Sequence, residues 1–578
     1  MIASLKYVVC CRLKIYFKEI LMTFNLLSDP FLPVVMRSGE KRWLAFPELV
    51  SGADSNGLDE DYPVEFNWPR PDFNMASFEF CIGAISLAFD IREEDEWSPF
   101  WTNPPDRDTL AEKLSPLVSA FYLNGEGARF LQDHESLQGN EKGNETPIES
   151  LLIDTPGQNG QRKNSDLLTH RDRYAALGLP AAAMALYTLQ AYAPPGGAGN
   201  RTSMRGGGPL TALVVPATND GAPPVSLWRK ISANVVPCDK RLRINELPKA
   251  LPWMAPTLTS EKSHTVSLAD AHPLQAYFGM PRRIRLAFSS EPGICSMTDE
   301  EGPLVTGFIQ KPYGTNYGMW QHPLTPYRRQ KEAGEPYSAK PKSGRFGYRD
   351  WVAATVGSKD GKLAEQPTNI KLAKNNRSHI LSQNKKAADA RVRVGGWAMN
   401  NMEAIAYLIT EEPLHLAKTP AQQQALDDLA RHFSEAADQA VSQLLAALKK
   451  ALFSGQKNAP NDKGILDQAR AHFFDATEDQ FHHLLDDLLQ EMPEDGRLTD
   501  PTASAQHWLW IMRREALVIF DRLAPVPLQD AEKAKNIVDA YGILNATFAG
   551  RTKQSKTLYD KLELPLPKKK PKAQKETT

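Results

Sequence analysis

The chain has 578 residues, 42% of them apolar and 24% charged, with 43 Pro and 36 Gly. This composition is globular and loop-rich, and it excludes a collagen-like, fibrous or wholly disordered chain. The formal net charge of −1 hides a division: residues 161–400 carry 33 Lys and Arg against 17 Asp and Glu, whereas residues 1–160 carry 13 against 26 and residues 401–578 carry 22 against 26. A central excess of sixteen positive charges suits a surface that meets a polyanion, because Lys and Arg displace counterions from phosphates. It also fits a basic domain with solvated faces.

The five cysteines, Cys10, Cys11, Cys81, Cys238 and Cys295, show no paired spacing. Neither a disulfide framework nor a cysteine zinc site is expected, and a reducing cytoplasm fits. Residues 1–21 are interrupted by Arg12, Lys14 and Lys18 and lack a cleavage site, so they read as an upstream extension before Met22. The apolar run at 78–89 is far shorter than the roughly 20 residues of a membrane helix and reads as a buried helix.

From Met22 to about residue 400, β-like runs at 211–217 and 282–288 alternate with Pro/Gly connectors and a helical stretch at 174–192. The expected fold class is α+β, with one large irregular mixed domain over 22–400. Beyond 405 the period changes. Apolar residues at helical spacing over 420–453, resuming at 462–490, 503–523 and 528–561, predict a four-helix bundle over 405–561, and 562–578 reads as a disordered basic tail.

Four segments carry candidate chemistry. The cluster PPGGAGNRTSMRGGGP at 194–209 contains Arg201 and Arg205, and its glycines let backbone approach a ligand closely. It is neither a P-loop nor a dinucleotide fingerprint, and taken alone it reads as a connector. Lys311 stands between a strand end and a Gly-Asn turn, where a lysine is ordinarily a solvated charge. In RVRVGGWAMNNM at 391–402 a strand ends at Gly-Gly, and Asn400 and Asn401 precede what reads as a helix start at Met402, so they suit base edges or a helix cap. In 472–487, His482 and Asp486, or His483 and Asp487, stand four apart and could share a divalent metal; bundle-surface residues are the plainer reading. No GxSxG, HExxH or acid pair is present.

The order of these segments is more specific than any one of them. NLLSDPFLPV near residue 25, TPIESLLIDTPGQN at 146–159, the glycine cluster, GFIQKPYGTNYGMWQHPLTPY at 307–327 and VGGWAMNNMEA at 394–404, followed by helices, resemble the CasA family, the large subunit of the type I-E CRISPR Cascade complex. The resemblance implies a non-catalytic subunit without cofactor. It implies recognition of the protospacer-adjacent motif (PAM) in double-stranded target DNA, promotion of duplex opening and R-loop formation, and help in recruiting a nuclease-helicase. Its other partners are the guide-RNA-loaded backbone and small subunits.

Carried over residue by residue, the family's glycine loop falls on Pro195, Gly196, Gly197, Ala198 and Gly199, with Arg201 and Arg205 following. Its minor-groove lysine falls on Lys311, its duplex wedge on Asn400 and Asn401, and its guide-RNA-proximal loop on Leu168, Thr169, His170 and Arg171. Some members bind zinc through paired cysteines; only Cys295 remains near that loop, so no metal is expected. Two other readings stay open: a metal-dependent hydrolase built on 472–487, and a nonspecific nucleic-acid-binding scaffold.

Overall fold

In a computed structural model of the chain, residues 23–568 are described apart from 53–60, 138–144, 158–160, 163–170, 198, 218–222, 319, 343, 360, 383–389, 401, 454–462 and 528. The proposed extension 1–21 and most of the basic tail lie outside the described residues. The fold is α+β, in two compact units. Residues 23–345, 366–382 and 390–412 form the first, and residues 346–365 and 413–568 the second.

The first unit is held by an aromatic core. Strand β1 (Leu32–Met36) pairs antiparallel with β2 (Lys41–Leu44) and β3 (Pro63–Phe66). Beneath them runs α1 (Pro71–Ala88), the apolar stretch expected to be a buried helix, with Pro71 at its first position, where no amide donor is needed. Its Phe80, fully buried, meets Phe31, Phe46, Phe121, Phe130, Tyr187 and Phe278 edge-on at 5.3–6.3 Å. Edge-to-face contacts suit the ring quadrupole. Tyr187 comes from α2 (Leu179–Tyr192), a helix of small residues that is buried nearly all round.

Two further sheets position the candidate site. Strand β4 (Thr211–Val215) pairs antiparallel with the long β9 (Arg391–Asn400), whose other edge is covered by β10 (Glu403–Pro413). Strand β5 (Arg283–Phe288) pairs antiparallel with β6 (Leu304–Lys311), and a short hairpin joins β7 (Tyr327–Arg328) to β8 (Tyr337–Ser338).

The sequence reading ended the strand at Gly395–Gly396 and started a helix at Met402. Instead β9 continues to Asn400 and turns into β10. The glycines answer a packing need: a Cβ on Gly396 would lie 2.8 Å from the Pro209 carbonyl oxygen, and one on Gly395 would lie 2.8 Å from the Tyr407 hydroxyl. For the same reason the first unit runs to residue 412, while the helix α3 (Tyr348–Thr355) belongs to the second.

The second unit is helical: α4 (Pro420–Phe453), α5 (Lys463–Glu491), α6 (Pro501–Leu523), α7 (Ala531–Phe548) and the short α8 (Ser555–Lys561). The last predicted segment, 528–561, is therefore two helices with a turn at Gly550. Leu426, Ala430, Phe433, Ala437, Val441, Leu444 and Leu448 of α4 are buried at helical spacing, and Trp508 donates its indole N–H to the Phe433 carbonyl at 3.0 Å. The start of the tail, expected to be disordered, packs: Leu562 and Leu564 are buried, because their apolar side chains have the folded helices to cover them. Among the described residues no helix is long and apolar enough to cross a membrane.

Candidate nucleic-acid interface

The glycine cluster leaves α2 at Ala193 and closes on itself: Gly196 N–H donates to the Asn200 carbonyl at 3.2 Å, and Asn200 N–H to the Gly197 carbonyl at 2.7 Å. Pro195, Gly196 and Gly197 are exposed at the tip; Ala198 lies outside the described residues. The foot of this loop is braced by a residue the sequence reading missed. Arg282 donates to the Pro194 carbonyl at 2.6 Å and to the Arg201 carbonyl at 3.4 Å, and burial lowers its pKa to about 10. Its position just before β5 was the available signal.

Lys311 is the last residue of β6, and the turn after it is fastened to the loop. Tyr313 N–H donates to the Gly199 carbonyl at 2.9 Å, and Gln310 donates to the Asn200 side chain at 2.9 Å. Gly199 has φ +81°, and a Cβ there would come within 3.0 Å of Pro312 and 3.1 Å of the Tyr313 amide, so only glycine fits. Tyr313 itself is 44% exposed at φ 60°, an unusual backbone state for an aromatic residue. Arg201 donates to Ser260 Oγ at 2.8 Å, and Ser260 N–H donates to the Tyr313 carbonyl at 3.1 Å.

The third element meets the loop from the other side. A Cβ on Gly208 (φ +64°) would lie 2.3 Å from the Trp397 carbonyl oxygen and 2.9 Å from the Met399 side chain, so the loop presses on β9 just before exposed Asn400. Asn401 lies outside the described residues; Met402 beyond it is 61% exposed at φ 75°. A further cation stands here, also missed from sequence: Lys340 Nζ lies 3.8 Å from where a Gly206 Cβ would be, and burial lowers its pKa. The β8 residue Ser338 is held against the loop by a hydrogen bond to the Arg205 carbonyl, and Leu210 N–H donates to the Ala339 carbonyl at 2.9 Å.

Arg205 corrects the sequence expectation. It is 5% exposed and forks onto Glu79 of α1 at 3.1 and 2.6 Å, with Thr325 Oγ1 at 3.0 Å and the Tyr192 ring 5.3 Å away. Burial opposes its charge, but Glu79 outweighs burial and raises its pKa. A buried bidentate pair is a structural anchor and does not reach a ligand. Nearby His322, 2% exposed, has its pKa pushed well below the usual histidine range by burial and then by Arg205.

In the expected guide-proximal loop only Arg171 is described, and it donates to the Gln161 carbonyl at 2.9 Å; Leu168, Thr169 and His170 lie outside the described residues. Cys295 is buried as a free thiol.

The sequence profile described as CRISPR-associated protein Cse1 matches residues 25–519. The chain belongs to this family. Cse1, or CasA, proteins are the large subunits of type I-E Cascade, and the folds agree. A Thermus thermophilus CasA structure is 16% identical, with a TM-score of 0.64 over 90% of this chain and 99% of that one. The Thermobifida fusca Cse1 structure is 18% identical, with a TM-score of 0.62 over 93% and 98%. A chain of a structure described as "CRISPR RNA-guided surveillance complex" is 12% identical, with a TM-score of 0.52 over 90% and 99%. This Cse1-family chain carries the glycine loop, the Lys311 turn and the β9–β10 hairpin as one joined constellation.

Proposed function

We propose that this Cse1-family chain is the non-catalytic subunit that senses the PAM in target DNA within a guide-RNA-loaded Cascade. The backbone of the Pro195–Gly199 loop, exposed at Pro195, Gly196 and Gly197, and the Lys311 side chain enter the minor groove, whose narrow width and degenerate edge pattern favour backbone approach over side-chain readout. Asn400, exposed at the end of β9, presses into the adjacent step together with Asn401 as the wedge. Unstacking costs a few kcal/mol per step, which guide pairing then offsets. Arg201, Arg171 and Lys340 supply charge toward phosphates, and the assembled complex recruits the nuclease-helicase. The reading places the protein in the cytoplasm.

The supporting observation is that two backbone junctions, Gly199 with Tyr313 and Gly208 with Trp397 and Met399, join three separately encoded segments into one site. The test is duplex binding by a guide-loaded Cascade core with and without this protein, using targets that differ only in the PAM, at stated salt. A gain in affinity confined to the PAM-bearing duplex supports the reading. An equal gain on both duplexes assigns the protein to nonspecific binding instead.

Of the pairs the hydrolase alternative named, His482 and Asp486 have His415 between them at 2.9 and 2.8 Å, and His483 and Asp487 are exposed.

A further inference from the structure

Within the second unit four side chains form a line, half-buried at Asp486 and buried at the other three, whose last two members each keep one polar atom without a hydrogen-bond partner among the described residues. His415 Nδ1 lies 2.8 Å from Asp486 Oδ1, and His415 Nε2 lies 2.9 Å from His482 Nδ1. Asp486 fixes the order of protons. Its carboxylate only accepts, so His415 carries its proton on Nδ1, its Nε2 accepts, and His482 donates from Nδ1. A neutral His482 then holds its lone pair on Nε2. That lone pair faces Glu478 Oε1 at 3.5 Å. Among the described residues neither atom has a hydrogen-bond partner, and His482 and Glu478 are only 7% and 4% exposed. Two acceptors facing each other out of water repel unless a cation lies between them.

We propose that this cation is a divalent first-row metal ion, Zn2+ foremost, ligated by His482 Nε2 and Glu478 Oε1, with water completing its shell. The spacing admits a metal ion between the two donors. Bonds of about 2.0–2.2 Å meeting at a tetrahedral angle hold the two donors roughly 3.4 Å apart, whereas an N–H···O bond draws them to about 2.7–3.2 Å. The observed value is 3.5 Å. Imidazole with carboxylate is a donor set that suits such ions.

The supporting groups are those a ligand pair needs. The far nitrogen of His482 is tied through His415 to Asp486, a relay that orients the ring. The far oxygen of Glu478 accepts from Tyr348 N–H at 3.1 Å, and a Cβ on Gly347 would come within 2.9 Å of that oxygen. Trp351 stands edge-on to both imidazoles at 5.5 and 5.3 Å, closing the site with apolar surface. The bound ion braces one turn of α5, and through the other oxygen of Glu478 that turn is fastened to Tyr348 at the start of α3. Its role is structural, and the proposal stands independently of PAM sensing.

The test uses the full-length protein, stripped with chelator and titrated with Zn2+ and separately with Co2+. The expected result is one equivalent per chain, a rise in Tm with Zn2+, and visible d–d absorption bands with Co2+. His482→Gln and Glu478→Gln each abolish the bands and the Tm response, whereas His483→Gln, exposed on the same helix, keeps both. The wild-type titration decides alone if a variant does not fold: no bound equivalent and no Tm response overturn the proposal. So does metal binding that survives both ligand substitutions. A stripped wild type that ignores metal yet loses stability as the pH rises through the imidazole range identifies the cation as a proton and also overturns it.

Discussion

The glycine cluster and the histidine helix drew attention for similar reasons, unusual residue types at short spacing, yet the structure builds them in opposite ways. The glycine loop is made of backbone: its tip is exposed, and its shape is set at its foot by Arg282, Gly199 and Gly208. The histidine line is made of side chains on α5 and the segment before α4, buried except for half-buried Asp486 and each oriented by the next. A loop held by backbone bonds can offer groups to a large partner, whereas a buried side-chain relay can only serve something as small as an ion. Spacing alone does not separate these cases; exposure does.

The largest effect that would break this contrast lies under the loop. Glu79→Ala leaves Arg205 buried and unpaired, and it should destabilise the protein by about 3–5 kcal/mol, read from the denaturant midpoint. A change below about 1 kcal/mol would mean that Arg205 reaches water and that the loop has no fixed floor.

Next comes the joint with β9. Gly208→Ala drives a Cβ toward the Trp397 carbonyl at a positive φ, so it should weaken PAM-dependent duplex binding by tenfold or more, ~1.4 kcal/mol, while far-ultraviolet circular dichroism stays unchanged. Undiminished binding would detach the loop from the hairpin in function.

Lys311→Ala and Lys340→Ala sharpen the comparison, because a groove contact and a phosphate contact fail differently. Each should lower affinity, but Lys340→Ala should lower it equally on both duplexes and reduce the slope of log affinity against log salt by about one. Lys311→Ala should cut preferentially into the PAM-bearing target. Identical behaviour of the two variants would remove the distinction.

The smallest effect is one of pH. His322 is neutral in the folded protein with its pKa depressed, while the unfolded chain takes up a proton near 6.5. The unfolded state therefore binds more protons in acid, so this residue's contribution is present above pH 6.5 and is lost as the pH falls below it. Tm measured from about pH 7.5 to about pH 5 should fall less steeply in His322→Gln than in the wild type.

Much of the fold was legible because period and burial coincide: α4 follows its apolar residues from Pro420 to Phe453, and α1 shows as an unbroken apolar run. The ordered motifs carried the family. What escaped was long-range. Gly395 and Gly396 resemble a stop signal but mark close packing against Tyr407 and Pro209, and nothing local to Arg205 announces Glu79, 126 residues earlier. Lys340 was silent, and the position of Arg282 before β5 did not reveal its partner, because each acts on a loop distant in sequence. His415 was invisible for the same reason, standing 67 residues before His482.

The loop's closing bonds are donated by Gly196 and Asn200, the latter to the Gly197 carbonyl, while Gly197 makes no side-facing contact that a Cβ would disturb, although its φ of +68° favours glycine. The frame and the reading edge are thus separable inheritances. On the proposed reading, contacts at Gly199 and Gly208 hold the frame, while a Cβ on Gly197 at the exposed tip would meet no neighbour yet its φ stays at +68°, so the tip is bound to glycine by its own backbone and not by what surrounds it.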